Sequence, residues 1–209
     1  MIAGIVPANS LKNAKTRLHL PCLLVPHKQE LVLAMLNTVI QAMVDSQLDI
    51  TYFVSSDPFL LKYSKKLGAK PITEPERLGA NGAVSLASRR AVDDGAAATL
   101  VLFSDVPLVT KEDVDRLIEK GLKVKGCVVA SRSTRGGTNA LWRKPAGVIA
   151  SRYGENSFIN HRSEAEEAGV PFFDFDCDRI SLDVDTLEDL MLVLRKDRTS
   201  KRYEFISRM

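Results

Sequence analysis

Short apolar runs alternate with amphipathic segments from one end of the chain to the other. "IAGIVP" (2–7) is an apolar run stopped by Pro7, as a buried strand is. Over 28–46, apolar residues at 31, 32, 35, 36, 39, 40 and 43 keep the i, i+3, i+4, i+7 spacing of a helix with one face on a core. A strand follows at "DITYFVSSD" (49–57), a helix at "FLLKYSKKLG" closed by Gly68, and a short strand at "AKPITE" (69–74). "NGAVSLASRRAVDDG" (81–95) predicts a helix with Gly95 as C-cap, and "TLVLFSD" (99–105) is the most strand-like run of all. "TKEDVDRLIEKG" (110–121) predicts a helix capped by Thr110, with Asp113 three residues on. Beyond it lie a strand at "CVVASR" (127–132), another carrying Ala140, Leu141 and Trp142, and a helix over 156–169. Late strands are expected at "FFDFD" (172–176) and "ISLDVD" (180–185), with a closing helix over 186–197.

Strand–helix alternation of this kind predicts an α/β domain: a mostly parallel, mixed sheet, Rossmann-like, with helices on both faces. No repeat, linker or low-complexity segment divides residues 1–209, so a single domain is expected, with 198–209 as a loosely held basic tail. Ligands of such sheets collect at the carboxyl ends of the strands, where the strand order reverses.

Composition narrows the partners. With 45% hydrophobic and 26% charged residues, the chain can bury a substantial core. Its net charge of +3, from 29 basic and 26 acidic residues, suits small anionic ligands and is far from a nucleic-acid binder's. Cys22, Cys127 and Cys177 are widely spaced and lack any C-x-x-C pattern, so neither structural zinc nor a disulfide framework is expected and a reducing cytoplasm fits. The opening "MIAGIVPANS" does not resemble a signal peptide, and no run of about 18 uncharged apolar residues predicts a membrane span.

The chemistry gathers where strands end. Asp105 follows the fourth strand, and Pro107 then turns the chain away; a plain helix-entry aspartate would look the same. In "ISLDVDTLEDL" the strand alternation points Asp183 and Asp185 to one face and Leu182 and Val184 to the other. Two carboxylates about 7 Å apart repel unless a cation joins them. Hard oxygen ligands of this kind suit Mg²⁺, although Asp185 could instead cap the last helix. "PANSLKNAKTRL" sets Lys12, Lys15 and Arg17 in a polar loop fit for a triphosphate, without any Walker A pattern. Gly79, Asn81 and Gly82 precede a helix start, where a base or phosphate can approach the backbone.

"TRGGTNALW" and "RYGENSFINH" each join glycine to hydroxyl and amide donors, with Arg135, Arg143, Arg152, His161 and Arg162 nearby. Together they could wall a pocket for a small acid bearing phosphate and carboxylate, the glycines of "RGGTNAL" letting backbone amides reach an oxyanion. A Ser–His–Asp hydrolase would want a G-x-S-x-G nucleophile elbow, which the chain lacks. His161 on a helix face is the position of a packing residue more often than of a base.

In order, "IVP…AKTRL", "LGANGAV", "FSDVPL", "GGTNAL", "YGENSFINH" and "LDVDTLEDL" resemble the 2-phospho-L-lactate guanylyltransferase family of the deazaflavin coenzyme pathway, over roughly residues 2–195. The resemblance implies a nucleotide-diphospho-sugar-transferase-like fold, a homodimer, Mg²⁺, and GTP and a phosphorylated three-carbon acid as substrates. It implies metal-binding roles for Asp105, Asp183 and Asp185, with Asp105, Lys15 and Arg17 at the reacting phosphates. It gives the acid to Thr138, Gly154 and Ser157 and sets Lys15 and Arg17 in the phosphate-side loop; Asn139 joins the acid candidates, and Lys12, Gly79 and Asn81 the nucleotide candidates, on the reading of the residues themselves. The chain departs from the pattern at Asn9, where members often carry lysine, and at Asp105-Val106-Pro107, where the usual motif is acidic-Leu-Pro. Other readings are a nucleotidyltransferase acting on phosphoenolpyruvate or on a sugar phosphate or molybdopterin, and a non-catalytic nucleotide-binding module.

Overall fold

The computed structural model describes residues 1–11, 25–197 and 203. Seven strands form one sheet: β1 (Ile2–Pro7), β2 (Ile50–Ser55), β3 (Lys70–Thr73), β4 (Ala98–Leu102), β5 (Cys127–Arg132), β6 (Thr138–Lys144) and β7 (Phe172–Asp174), in the order β3-β2-β1-β4-β6-β5-β7. Every pairing is parallel except the two that β6 makes, with β4 and β5. The helices are α1 (Val25–Val44), α2 (Pro58–Lys66), α3 (Gly79–Asp93), α4 (Lys111–Leu122), α5 (Ser157–Glu167), α6 (Asp178–Ser181) and α7 (Leu187–Lys196).

Period-two burial explains the layers. Val6, Phe53, Leu100, Leu102, Val129 and Trp142 face one side of the sheet, against Leu36, Val39 and Ile40 of α1 and Val114, Leu117 and Ile118 of α4. Their neighbours Ile5, Val54, Val101, Val128 and Leu141 face the other side, against Val84 and Ala87 of α3 and Phe158 and Ala165 of α5. Strands apolar on both faces are what a sheet sandwiched by helices requires. Gly121 of α4 sits where any Cβ would collide with the Trp142 indole, so the helix backbone rests directly on the ring.

The helix starts follow local chemistry. Asp57 caps α2, its carboxylate accepting from the amides of Phe59 (2.9 Å) and Leu60 (3.3 Å). Thr110 and Asp113 form the capping box of α4, as expected. Thr186 and Asp189 form another at α7, so the cap of the last helix is Thr186 and not Asp185.

One predicted strand is absent. "ISLDVD" is split between α6 and an extended segment, 182–185, outside the sheet. Its alternation survives because Leu182 and Val184 pack against Leu31, Met35, Leu190 and Val193. Those partners belong to helices, so the segment is held by side-chain burial and by scattered hydrogen bonds, among them the Val184 amide to the Asp105 carbonyl (3.1 Å) and the Asp185 amide to the Asp189 carboxylate (3.0 Å). Cys177 also lies outside any strand, buried just ahead of α6. No helix among the described residues is long and apolar enough to cross a membrane.

Candidate active site

β1 and β4 are neighbours, but β1 leads to β2 on one side and the chain beyond β4 builds the other, so the loops leaving their carboxyl ends part. A cleft opens there, as the switch-point rule predicts. Antiparallel β6 begins at this rim, since Ala140 pairs with Leu102, and so Thr138 and Asn139 arrive beside Asp105. The cleft measures about 680 Å³, and its wall includes Asp105, Thr138, Asn139, Gly154, Ser157, Asp183 and Asp185. Every candidate for the metal or the acid is therefore present in one place.

One side is anionic. Asp183 is buried, and its carboxylate accepts from the Asn139 amide at 3.2 Å. Burial and the nearby carboxylates of Asp105 and Asp185 push its pKa up, against that hydrogen bond. The Asn139 amide also donates to the carbonyls of Ile180 (2.9 Å) and Ser181 (3.3 Å), so its donor end is engaged in holding the acidic segment in place. Among the described residues no three His, Cys, Asp or Glu side chains close into a ready-made cage. Mg²⁺ does not need one, because it takes one or two carboxylates and fills its shell with water and substrate phosphate. The donor chemistry and the raised Asp183 both fit such an ion.

The opposite side offers donors. Gly137 leads into Thr138 at the end of the β5–β6 hairpin, and Asn156, with φ +53°, precedes Ser157 at the start of α5. The Ser157 hydroxyl donates to Thr138 Oγ1 at 3.2 Å, and both residues are buried. Beneath them lies His161, wholly buried, with Nδ1 3.0 Å from Thr138 Oγ1 and Nε2 accepting from the Arg152 amide at 2.9 Å. Burial first, then Arg143 and Arg152, push the His161 pKa down to about 4 against an opposing Glu164, so the ring is neutral at pH 7. Phe103 and Tyr153 complete the wall, their ring centroids 4.8 Å apart.

Several expectations need correction. The amides of the glycine pair are not aimed at an oxyanion: Gly136 N–H donates to the Ser133 carbonyl (3.1 Å) and Gly137 N–H to Ser133 Oγ (2.9 Å). Glycine is needed at 137 for space, since a Cβ there would meet Ser133 Oγ at 2.9 Å. Asn81 exchanges both ends of its side-chain amide with the Tyr153 backbone (2.7 and 2.9 Å), so it braces the wall. Gly79 lines a smaller adjoining hollow of about 80 Å³ with Asn9 and Asp105. Of the expected cations among the described residues, only Arg135 lines the cleft, and it is tied to Asp189 at 2.8 Å. Arg143 is buried at the far end of β6 on Ser88, Arg152 pairs with Glu164, and Arg162 with Asp174. Lys12, Lys15 and Arg17 lie outside the described residues. Ser133 and Tyr153 line the cleft as well, and a serine shortly before a Gly-Gly turn is the sequence signal for the first.

A carboxylate side and a donor side facing each other across the switch point of a mostly parallel sheet suit the joining of two phosphates, and the class so defined is the nucleotidyltransferases. A protein of Desulfovibrio desulfuricans G20, solved under the description nucleotide-diphospho-sugar transferase, has the same fold, with a TM-score of 0.74, 17% identity, and coverage of 96% of this chain and 90% of that one. Within that class the chain belongs to the family described as Guanylyl transferase CofC like, which it matches over residues 2–209. It is 34% identical over 190 residues to the phosphoenolpyruvate guanylyltransferase of Rubrobacter xylanophilus, covering 90% of this chain and 91% of that protein. It is 31% identical over 206 residues to the 2-phospho-L-lactate guanylyltransferase of Methanothermobacter thermautotrophicus, covering 99% and 90%. The resemblance found in the motifs is thereby borne out.

Proposed function

We propose that this enzyme condenses GTP with (2S)-2-phospholactate, giving lactyl-2-diphospho-5'-guanosine and pyrophosphate, a step of coenzyme F-420 biosynthesis. The observation that carries the reading is the facing of Asp105, Asp183 and Asp185 by the Thr138–Ser157 hydroxyl pair in one cleft. An oxygen of the acid's phosphate attacks the α-phosphorus of GTP, an O–P bond forms, and the bond to the β-phosphate breaks as pyrophosphate leaves. The nucleophile is already an anion, so no general base is needed, and catalysis consists of holding two mutually repelling anions in line.

Asp105, Asp183 and Asp185 would hold Mg²⁺, which would neutralise charge on the reacting phosphates. Thr138 receives the acid's oxyanion, Ser157 supports that hydroxyl, and Gly154 leaves room beside it. Lys12, Lys15 and Arg17 are assigned to the triphosphate on the charge of their loop, with the family resemblance supporting Lys15 and Arg17, and Gly79 is assigned to the nucleotide. The same reading makes the enzyme a cytoplasmic homodimer, and light scattering on the purified chain tests the dimer.

Phosphoenolpyruvate is the second reading for the acceptor, favoured by the name of the 34%-identical relative. It has two hydrogens fewer than phospholactate, so that C2 and C3 are planar, and Thr138, backed by Ser157, would meet the same phosphate. The deciding experiment follows pyrophosphate release with GTP, a divalent metal and each acid in turn. Release that requires GTP and phospholactate supports the first reading, release with phosphoenolpyruvate alone supports the second, and equal release without any acid overturns both.

A further inference from the structure

We propose that His161 is a positioning residue that fixes the Thr138 hydroxyl as a hydrogen-bond donor toward the phosphorylated acid. The inference rests on the guanylyltransferase reading above and adds a residue to its acid subsite.

The argument is one of hydrogen-bond bookkeeping around a ring with no exposure. The Arg152 backbone N–H can only donate, and it reaches His161 Nε2 at 2.9 Å. That nitrogen therefore carries the lone pair, and in a neutral imidazole the proton sits on Nδ1. Nδ1–H then donates to Thr138 Oγ1 at 3.0 Å. The Ser157 hydroxyl also donates to Thr138 Oγ1, at 3.2 Å. A hydroxyl oxygen has two lone pairs and one hydrogen. With both lone pairs filled from below, the Thr138 hydrogen points away from His161 and Ser157, and Thr138 lines the cleft.

A threonine free to rotate would offer an anion a lone pair as readily as a hydrogen. Here the rotor is set before the ligand arrives, which removes an ordering cost from binding and spares the anion a repulsive contact. The chain from the Arg152 amide through imidazole to hydroxyl also polarises each link in the direction of the anion. His161 cannot do this work by contact with substrate. Both its nitrogens are engaged, and the Tyr153 ring covers it at 4.9 Å between centroids. Arg143, Arg152 and Glu164 are the charged groups around it, and the ring stays neutral among them.

The test separates the two ends of the ring. Asparagine presents an amide where Nδ1 stands, and glutamine presents one where Nε2 stands. H161N should keep the Michaelis constant for phospholactate, or for phosphoenolpyruvate if that is the acceptor, within about threefold of wild type. H161Q should raise it at least tenfold, with the GTP constant unchanged. In a Thr138→Val background H161Q should add nothing further, because the hydroxyl it would disorient is gone. Independently of any variant's folding, ¹⁵N spectra of histidine-labelled wild-type protein at pH 7 should show one buried ring protonated at Nδ1 alone. Equal rises in both Michaelis constants, additivity with Thr138→Val, or a ring protonated at Nε2 would overturn the proposal. Failure of the wild-type chain to transfer guanylyl to either acid would overturn the function reading and this inference with it, whereas a wrong tautomer in an active enzyme overturns the inference alone.

Discussion

Asp113 and Asp183 are both buried carboxylates, and their surroundings could hardly differ more. Asp113, at the start of α4, receives Arg179 through two bonds (2.6 and 2.5 Å) and Arg116 through one (2.6 Å). Burial alone would raise its pKa, but the two guanidiniums outweigh it and hold the group at about 2. Asp183 has Asp105 and Asp185 for neighbours and one amide for support, and it is pushed the other way. A buried charge that is compensated within the fold serves stability. A buried charge surrounded by its own kind costs stability, which makes Asp183 a candidate to meet a cation or a positively dressed substrate.

The sharpest break of this comparison is Asp183→Asn. It removes a charge from the crowded cluster, so turnover should fall at least a thousandfold, about 4 kcal/mol on the barrier, while the melting temperature without metal holds or rises. Magnesium should raise the melting temperature of the wild type and leave that of the variant where it is. A variant with near-normal rates across a magnesium titration would refute the metal assignment.

Asp113→Asn should do the reverse. Breaking a buried ion-paired carboxylate costs about 3 kcal/mol of stability, seen in urea unfolding, with both Michaelis constants unchanged. Acid titration gives the sign a second check. Asp113 contributes stability that is present above its ordinary value near 3.8 and lost as pH falls through about 2. His161 is neutral and buried, its folded pKa near 4 below the usual 6.5, so its contribution is also present at high pH and is lost as pH falls from 6.5 toward 4. That loss is on the order of 3 kcal/mol. Unfolding free energies at pH 7, 5 and 4 should therefore decline in the wild type and decline much less in H161N.

A smaller effect is expected on the donor side. Thr138→Val removes the hydroxyl that meets the acid, a charge-assisted bond worth roughly 1.5–3 kcal/mol, and should raise that substrate's Michaelis constant about ten- to a hundredfold. Ser157→Ala removes only a supporting donor, so its effect should be severalfold smaller; equal effects would mean that Ser157 touches the ligand itself. Smallest is Gly137→Ala, whose Cβ must displace Ser133 Oγ. A loss of about 1 kcal/mol in thermal stability is expected, with a modest rise in the constant for the acid.

The hairpin and the acidic segment mark how far the linear chain could be read. Apolar periodicity, Thr110 with Asp113, and the apolar runs of β1, β4 and β5 carry their own structural instruction, because helix and strand periods and caps are local properties. The motifs likewise mark Asp105, Thr138, Ser157, Asp183 and Asp185 as candidates, and the fold gathers all five in one cleft. Alternation at 182–185 was legible as well, but a strand needs a neighbouring backbone, and whether one is present is not a local matter. Leu182 and Val184 found helices where a sheet edge was expected.

Tertiary structure alone decided direction and partnership. It made β6 antiparallel, which carried Thr138 to the same rim as Asp105. It gave Arg179 to Asp113 across 66 residues of chain and left Asp183 among carboxylates. It set His161 under Thr138 with its proton on a chosen nitrogen. Each of these is a long-range contact, and a charge or a hydroxyl acquires its chemistry from what stands beside it in space, which the order of residues along the chain does not state.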